Sequence, residues 1–288
     1  MMLIQRRLVK GALSVYGFCR GLLTSVNGFI GFGLLMIMAC IAIFGPLLSP
    51  YDPFSLGLET LKPPSIEHFF GTDDLGRDVF SMFLYGARTS LLVGLVTALS
   101  ATIIGVFLGS LSGYYGGICD DILTKIMEVF QIMPRFFVAL VAAAIFGANI
   151  WNVIWVISLL YWPETARLTR AQFLKFREAE FVQAALLAGA GGATIMFSEI
   201  LPNAIPPAIV NGSLQVAASI ILESSLSFLG LGDPSMPSWG YQLSRAQSFI
   251  GIAWWMAVFP GAGILVACLT VNLLGDALNR ALNPYLQH

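Results

Sequence analysis

Charged residues are sparse and unevenly spaced along this chain, and the gaps between them set its architecture. From Gly28 to Leu48 no residue is charged, and from Thr89 to Leu111 there is again none. A helix rises about 1.5 Å per residue and a hydrocarbon layer is about 30 Å thick, so roughly 20 residues cross it. Both runs reach that length. Isolated strands are excluded, because their backbone groups would stay unpaired in lipid. Four further apolar stretches are interrupted by polar or proline residues. A third span is expected from Ile126 to Ala148 despite Glu128, Pro134 and Arg135, and a fourth from Ile150 through Tyr161 into Trp162-Pro163. A fifth runs from Pro206-Pro207 to about Leu229 with Glu223 inside it, and a sixth from Ile250 to Gly275 contains Pro260. The pattern predicts an all-α polytopic membrane protein with six transmembrane helices.

Composition agrees with lipid as the solvent. Hydrophobic residues make up 57% of the chain and charged residues 11%, against about 25% charged in soluble proteins. A net charge of −1 carries no signature of nucleic-acid binding, so the bilayer is the expected partner and nucleic acid is not. Arg6, Arg7, Lys10 and Arg20 precede the first run as in a signal peptide, but the run is too long and lacks a small-x-small cleavage site. It reads as an uncleaved span. With the N-terminus inside, these four residues join Lys125, Arg167, Arg170, Lys175, Arg177 and Arg280 in the cytoplasm, while only Lys62, Arg77, Arg88 and Arg245 lie outside. The positive-inside rule then places both termini in the cytoplasm.

This divides the chain into a cytoplasmic segment 1–27, a first helix 28–48, an extracytoplasmic loop 49–88 and a core 89–288 of five helices with a cytoplasmic loop 167–203. Trp162, Trp239, Trp254 and Trp255 lie near the proposed span ends, where the headgroup layer favours amphipathic rings. Gly94 with Ala98, and Gly105 with Gly109, suit close helix packing. Cys19, Cys40, Cys119 and Cys268 are scattered, and His68 and His288 are the only histidines, so no metal site is expected.

Two loops and one carboxylate are candidates for function. The first loop contains Gly71-Thr72-Asp73-Asp74 and Gly76-Arg77-Asp78. Its three aspartates lack the alternation and closing glutamate of a calcium loop, and a structured turn in which Arg77 balances its acidic neighbours is the plainer reading. In the second loop, 168–187 is rich in helix formers, including Ala179, Ala184 and Ala185. Gly189, Gly191 and Gly192 then mark a turn, and a short amphipathic stretch over 194–200 ends at Leu201-Pro202. Two short helices around a glycine corner make a knob that a grooved partner can grip. Glu223 faces either protein or a water-filled pathway; the local alternative is a helix-end carboxylate bonded to Ser224 or Ser225.

The second loop resembles the EAA signature of ABC importer permeases. Gln183-Ala184-Ala185, Gly189-Ala190 and Leu201-Pro202 match at the signature's spacing, with Gln183 in place of its glutamate and Glu199 in place of its usual isoleucine. The chain from Gly45 onward is similar to the second permease of dipeptide, oligopeptide and nickel importers. The matching segments are Phe70-Gly71-Thr72-Asp73, Leu75-Gly76-Arg77-Asp78, Tyr85-Gly86-Ala87-Arg88, Leu226 to Gly232, Ser238-Trp239-Gly240, Phe259-Pro260-Gly261 and Asn272 to Leu278. After that ending the family has Arg-Asp and Asp-Pro where this chain has Asn279-Arg280 and Asn283-Pro284.

The resemblance implies a type I importer permease fold in a bacterial inner membrane. It also implies a second homologous permease, two cytoplasmic ATPase subunits that grip the EAA loop, and an extracytoplasmic substrate-binding protein. The chain itself is not expected to be an enzyme or to hold a cofactor. It has no Gly-x-x-x-x-Gly-Lys-Ser/Thr loop, so ATP and Mg would be bound by the partner subunits. Peptides, nickel and related small chelates remain open as cargo. The alternative class is an ion-gradient transporter with Glu223 as coupling carboxylate, which would call for an internal repeat that the sequence does not display.

Overall fold

The computed structural model describes residues 25–282. Arg6, Arg7, Lys10, Arg20, Cys19, the Asn283-Pro284 pair and His288 lie outside that range. Within it the chain is almost wholly helical, and its one β-type pairing is an isolated bridge between Thr72 and Asp78.

Helix α1 (Val26–Leu48) starts where the Ser25 hydroxyl accepts a bond from the Gly28 N–H at 3.1 Å. Most of its surface is exposed, as a lipid-facing helix requires, and it touches the bundle through glycines. A Cβ at Gly31 would lie 3.1 Å from the Leu273 side chain, and one at Gly45 would lie 3.1 Å from the Leu84 carbonyl.

Helix α2 (Val79–Tyr115) has 37 residues and begins well before the charge-free run. Its N-cap is Asp78, whose carboxylate accepts from the Ser81 N–H at 2.7 Å. The stretch 79–88, expected to be loop, is therefore helical. Arg88, which ends the charge-free run, points outward from an otherwise well-buried turn.

The third expected span is broken in two. Helix α3 (Gly117–Ile132) and helix α4 (Arg135–Phe146) meet at Met133-Pro134 with a bend of 87°. Proline disfavours helical geometry in the residue before it and lacks an N–H for the ladder, and Met133 is accordingly extended (φ −73°, ψ 132°). Helix α5 (Ile150–Arg177) then runs on past Trp162-Pro163 for 28 residues. Helix α6 (Glu180–Leu187) and the turns Gly192–Thr194, Ile195–Ile200 and Leu201–Ala204 lead into helix α7 (Pro206–Leu226), whose continuation to Leu231 is kinked at the left-handed Gly230 (φ 83°). Helix α8 (Trp239–Ala246) and helix α9 (Trp255–Leu282) complete the fold. Pro260, near the start of α9, does not break it.

Among the described residues, α1, α2, α7 with its continuation, and α9 are each long and apolar enough to cross a membrane, and α3 with α4 qualify only as a bent pair. Helix α5 is long enough but not apolar enough, because its second half carries Glu164, Arg167, Arg170, Lys175 and Arg177. Much of it hides against α2 instead. Three glycines of α2, spaced by one turn, admit the α5 backbone. A Cβ at Gly105 would meet the Trp162 carbonyl at 2.7 Å, one at Gly113 the Arg170 carbonyl at 2.8 Å, and one at Gly109 would press still closer on the Ala166 carbonyl. Helix α7 packs on the same pair, with Gly94 of α2 under Ile220. The Asn211 and Gln215 amides donate to the Thr165 hydroxyl at 3.0 and 3.2 Å.

The tryptophans depart from expectation. Of the four placed at span ends, Trp162, Trp239 and Trp255 are buried in the protein and Trp254 is exposed. Trp239 donates its indole N–H to the Phe83 carbonyl at 3.2 Å, and Trp255 donates to the Thr72 carbonyl at 3.1 Å. Their polar edges are satisfied by backbone rather than by headgroups.

The α2–α5 seam can be tested at Gly109. A leucine there must displace backbone, which cannot move aside as a flexible side chain can, and overpacking of this kind costs about 1–3 kcal/mol or more. Gly109→Leu is expected to lower the thermal midpoint of the detergent-solubilised protein by several degrees. Gly33→Leu, where a Cβ would find nothing within 4 Å, should leave it unchanged.

Candidate functional site

The structure places the sequence-derived candidates in three separate regions, and it adds a fourth. At one end of the bundle, α6 carries Gln183, Ala184 and Ala185 and ends in a hydrogen-bonded corner. The Gly189 N–H donates to the Leu186 carbonyl and the Ala190 N–H to the Ala185 carbonyl, both at 3.0 Å. This is the Schellman arrangement, which needs a left-handed residue at the turn, and Gly189 has φ +80°. Ala185 and Ala190 are brought together by that pairing and pack on one hydrophobic cluster with Val182, Ile195, Met196 and Ile200. Phe173 of α5 and Leu111 and Tyr114 of α2 join the same cluster, as does Leu201.

The inner face of this loop is thus fixed to the two longest-packed helices. Its outer face is open. Gln183, Ala184, Gly189 and Pro202 are exposed, and Leu187 at the tip is 91% exposed. Among the described residues, no atom lies within 4 Å of where a Gly189 Cβ would point. Helix α5 extends into the stretch that the sequence assigned to the loop, so the loop proper begins after Arg177.

At the opposite end of α2, the 71–78 segment forms a closed turn. Gly71 and Gly76 have φ +75° and +74°, and the Val79 N–H returns to the Gly71 carbonyl at 3.0 Å. Asp73 is the hub: its carboxylate accepts from the Leu75 and Arg77 N–H groups at 2.9 and 2.8 Å and from Arg77 Nε at 2.6 Å. Burial opposes the Arg77 charge, but Asp73 beside it prevails and the guanidinium titrates above its ordinary value. Thr72 is fully buried and bonds the Glu59 carbonyl and the Lys62 N–H. Asp78 caps α2 with one oxygen and meets His68 Nδ1 at 2.9 Å with the other. Asp74 pairs with Arg245 of α8 at 2.6 Å. The turn therefore fastens the start of α2 to α8 through Asp74 and to α9 through the Thr72 carbonyl.

Glu223 lies inside α7, 4% exposed. The Ser227 hydroxyl donates to one of its oxygens at 2.6 Å and the Ser224 hydroxyl to the other at 3.3 Å. Ser225 turns away and bonds the Ile221 carbonyl. Close approach of α8 seals the site, since a Cβ at Gly240 would lie 2.5 Å from Ser224 Cα.

The fourth region is an ion pair that reading single segments does not find. Arg135, the first residue of α4, donates from Nη2 to Glu164 Oε2 of α5 at 3.1 Å and lies 4.8 Å above the Tyr161 ring. The adjacent Thr165 packs on Gly105, inside the charge-free run of α2. Yet the two side chains are 35% and 44% exposed. A charge at the bilayer centre costs about 2.5–3.5 kcal/mol, so charged side chains within apolar runs generally face protein or water. The sequence signal is a Pro-Arg step within one apolar run and a lone glutamate within the next.

Comparison with known proteins places these regions in context. The family model described as "Binding-protein-dependent transport system inner membrane component" matches residues 105–288. The dipeptide transport system permease protein DppC of Alkalihalophilus pseudofirmus is 39% identical over 259 residues, covering 88% of this chain and 85% of its own. The probable D,D-dipeptide transport system permease protein DdpC of Escherichia coli is 37% identical over 254 residues, covering 87% and 85%. The di/tripeptide transport system permease protein DppC of Pseudomonas aeruginosa is 37% identical over 263 residues, covering 88% and 86%. Among solved structures, an amino acid ABC transporter crystallised with histidines has the same fold, with a TM-score of 0.53 and 17% identity over 69% of this chain and 93% of that one.

The 71–78 turn generates a stability prediction. Asp78→Ala removes the α2 cap and leaves the Ser81 N–H without its acceptor, and a lost cap costs about 0.5–2 kcal/mol. Thermal unfolding in detergent should shift down measurably for Asp78→Ala and less for Asp78→Asn, which still caps. Equal shifts would mean that capping is not what Asp78 contributes.

Proposed function

The chain belongs to the family of binding-protein-dependent transport system inner membrane components, and from that membership we propose that it is one membrane-spanning permease of an ATP-driven importer for small peptides. It is a multi-pass inner-membrane protein. In the proposed assembly a second homologous permease lies beside it, and the two enclose the pathway. Two ATPase subunits, which hold ATP and Mg, grip the loop around Gly189. An extracytoplasmic binding protein delivers cargo at the end that carries the 71–78 turn, and both termini lie on the ATPase side. The dipeptide and di/tripeptide names of the relatives favour peptides over the nickel or chelate cargo that the same branch allows.

One observation carries the coupling role: the Gly189 corner is clamped on its inner side and bare on its outer side. The clamp joins the loop to α5 and α2, which run the length of the bundle, so a displacement of the loop by a closing ATPase dimer would be transmitted along both. The exposed Leu187, Leu186 and Phe181 give the knob an apolar surface suited to a partner groove. An ion-gradient mechanism would need Glu223 to exchange protons or ions with water. Its burial and its two hydroxyl donors speak against that.

Gly189→Val tests the coupling role. A side chain at this φ costs about 1–2 kcal/mol, and it projects where none of the described residues obstructs it. The variant should reach the membrane at normal levels, lose its ATPase subunits on purification and fail to transport. Normal ATPase retention with normal uptake would remove the loop from the coupling role.

A further inference from the structure

The Arg135–Glu164 pair is the feature that the coupling role leaves unused. It lies at the break between α3 and α4, level with Gly105 of α2, and both side chains are partly exposed. Phe136, the next residue, lines a hollow of 360 Å³ together with Ser224 and Ser225 of α7, Phe228, Leu243 of α8 and Ile264 of α9. The hollow is open, with apolar walls and two hydroxyls, and it adjoins the ion pair through Phe136, since neither Arg135 nor Glu164 lines it.

We propose that Arg135 and Glu164 form a cargo station within the membrane for a zwitterionic peptide. The guanidinium takes the terminal carboxylate, Glu164 takes the terminal ammonium, and a side chain of the peptide enters the hollow beside Phe136. The inference rests on the permease reading above. Its physical basis is charge balance. In the empty state the two side chains neutralise each other at 3.1 Å. A zwitterion replaces that one ion pair with two, so no net charge enters the low-dielectric layer at any stage. Arg suits the carboxylate end because its planar fork can bind both oxygens. Tyr161 holds the guanidinium over its ring at 4.8 Å and keeps it directed while Glu164 changes partner.

The test uses the complete assembly in proteoliposomes, with dialanine as cargo. In a chain whose own cysteines are replaced by serine, Phe136→Cys beside Arg135 and Leu168→Cys one turn from Glu164, both at exposed positions that leave the pair intact, are treated with a water-soluble methanethiosulfonate. Both thiols are expected to react, dialanine should slow the reaction, and N-acetyl-dialanine amide, which lacks both terminal charges, should not. Arg135→Gln is expected to lower dialanine uptake by about tenfold, the worth of a hydrogen bond to a charged group, while Arg135→Lys recovers part of the rate. The binding protein's affinity for dialanine should be the same with every variant. Thiols that stay unreactive would mean that the partner permease covers the pair and would overturn the proposal. So would protection by the capped peptide equal to that by dialanine, or wild-type uptake by the double variant Arg135→Gln/Glu164→Gln, which would make the pair structural. Absence of ATP-driven uptake with the unsubstituted chain would overturn the permease reading itself.

Discussion

The backbone-to-backbone approach of α2 and α5 is the constraint on which the rest of the bundle depends. In lipid, two helices gain little from hydrophobicity and associate through close packing. Gly105, Gly109 and Gly113 supply it by letting α5 carbonyls approach to distances that a Cβ would forbid. This contact holds α5 in the bundle although its second half is too polar to be stable against lipid. Thr165 and Thr169 are buried at the seam, and Thr169 returns its hydroxyl to the Thr165 carbonyl at 2.9 Å. Thr165 in turn receives Asn211 and Gln215 of α7. One close contact therefore positions three helices, and it sets the depth at which Glu164 meets Arg135.

The two ends of this seam are treated differently. Around the 71–78 turn, hydrogen bonds are directed inward, and two buried tryptophans tie the start of α2 to α8 and α9 through backbone carbonyls. At the other end the loop is attached by a compact apolar cluster that includes Phe173, Val182 and Ile200, and its outer surface stays unpaired. An inward-bonded turn resists deformation, while an exposed apolar tip on a short helix is suited to being gripped. A permease driven by partner ATPases needs both properties in one subunit.

Much of this was legible in the residues. Long charge-free runs identified α1 and α2, because lipid tolerates few charges, and Gly189 marked its corner because few other residues adopt a left-handed turn cheaply. The limits have physical causes. The start of α2 was misplaced to Thr89 because Arg88 ends the apolar run, whereas the helix is set by the Asp78 cap. Pro134 signalled an interruption, but an 87° bend depends on what α4 packs against. Trp162 and Trp239 look like interfacial residues by position and are buried because Phe130 and Phe83 pack on them from other helices. The Arg135–Glu164 pair joins residues 29 positions apart. No local pattern reveals it.

The central claim is that this chain conducts cargo at the expense of ATP hydrolysed by its partners. The direct measurement is accumulation of radiolabelled dipeptide by proteoliposomes that contain the assembled permeases and ATPases, with loaded binding protein on one face and ATP on the other. Ionophores are added to abolish every ion gradient. The account predicts that accumulation persists under these conditions and stops when ATP is replaced by a non-hydrolysable analogue. Accumulation that ignored ATP and collapsed with the ionophores would contradict it.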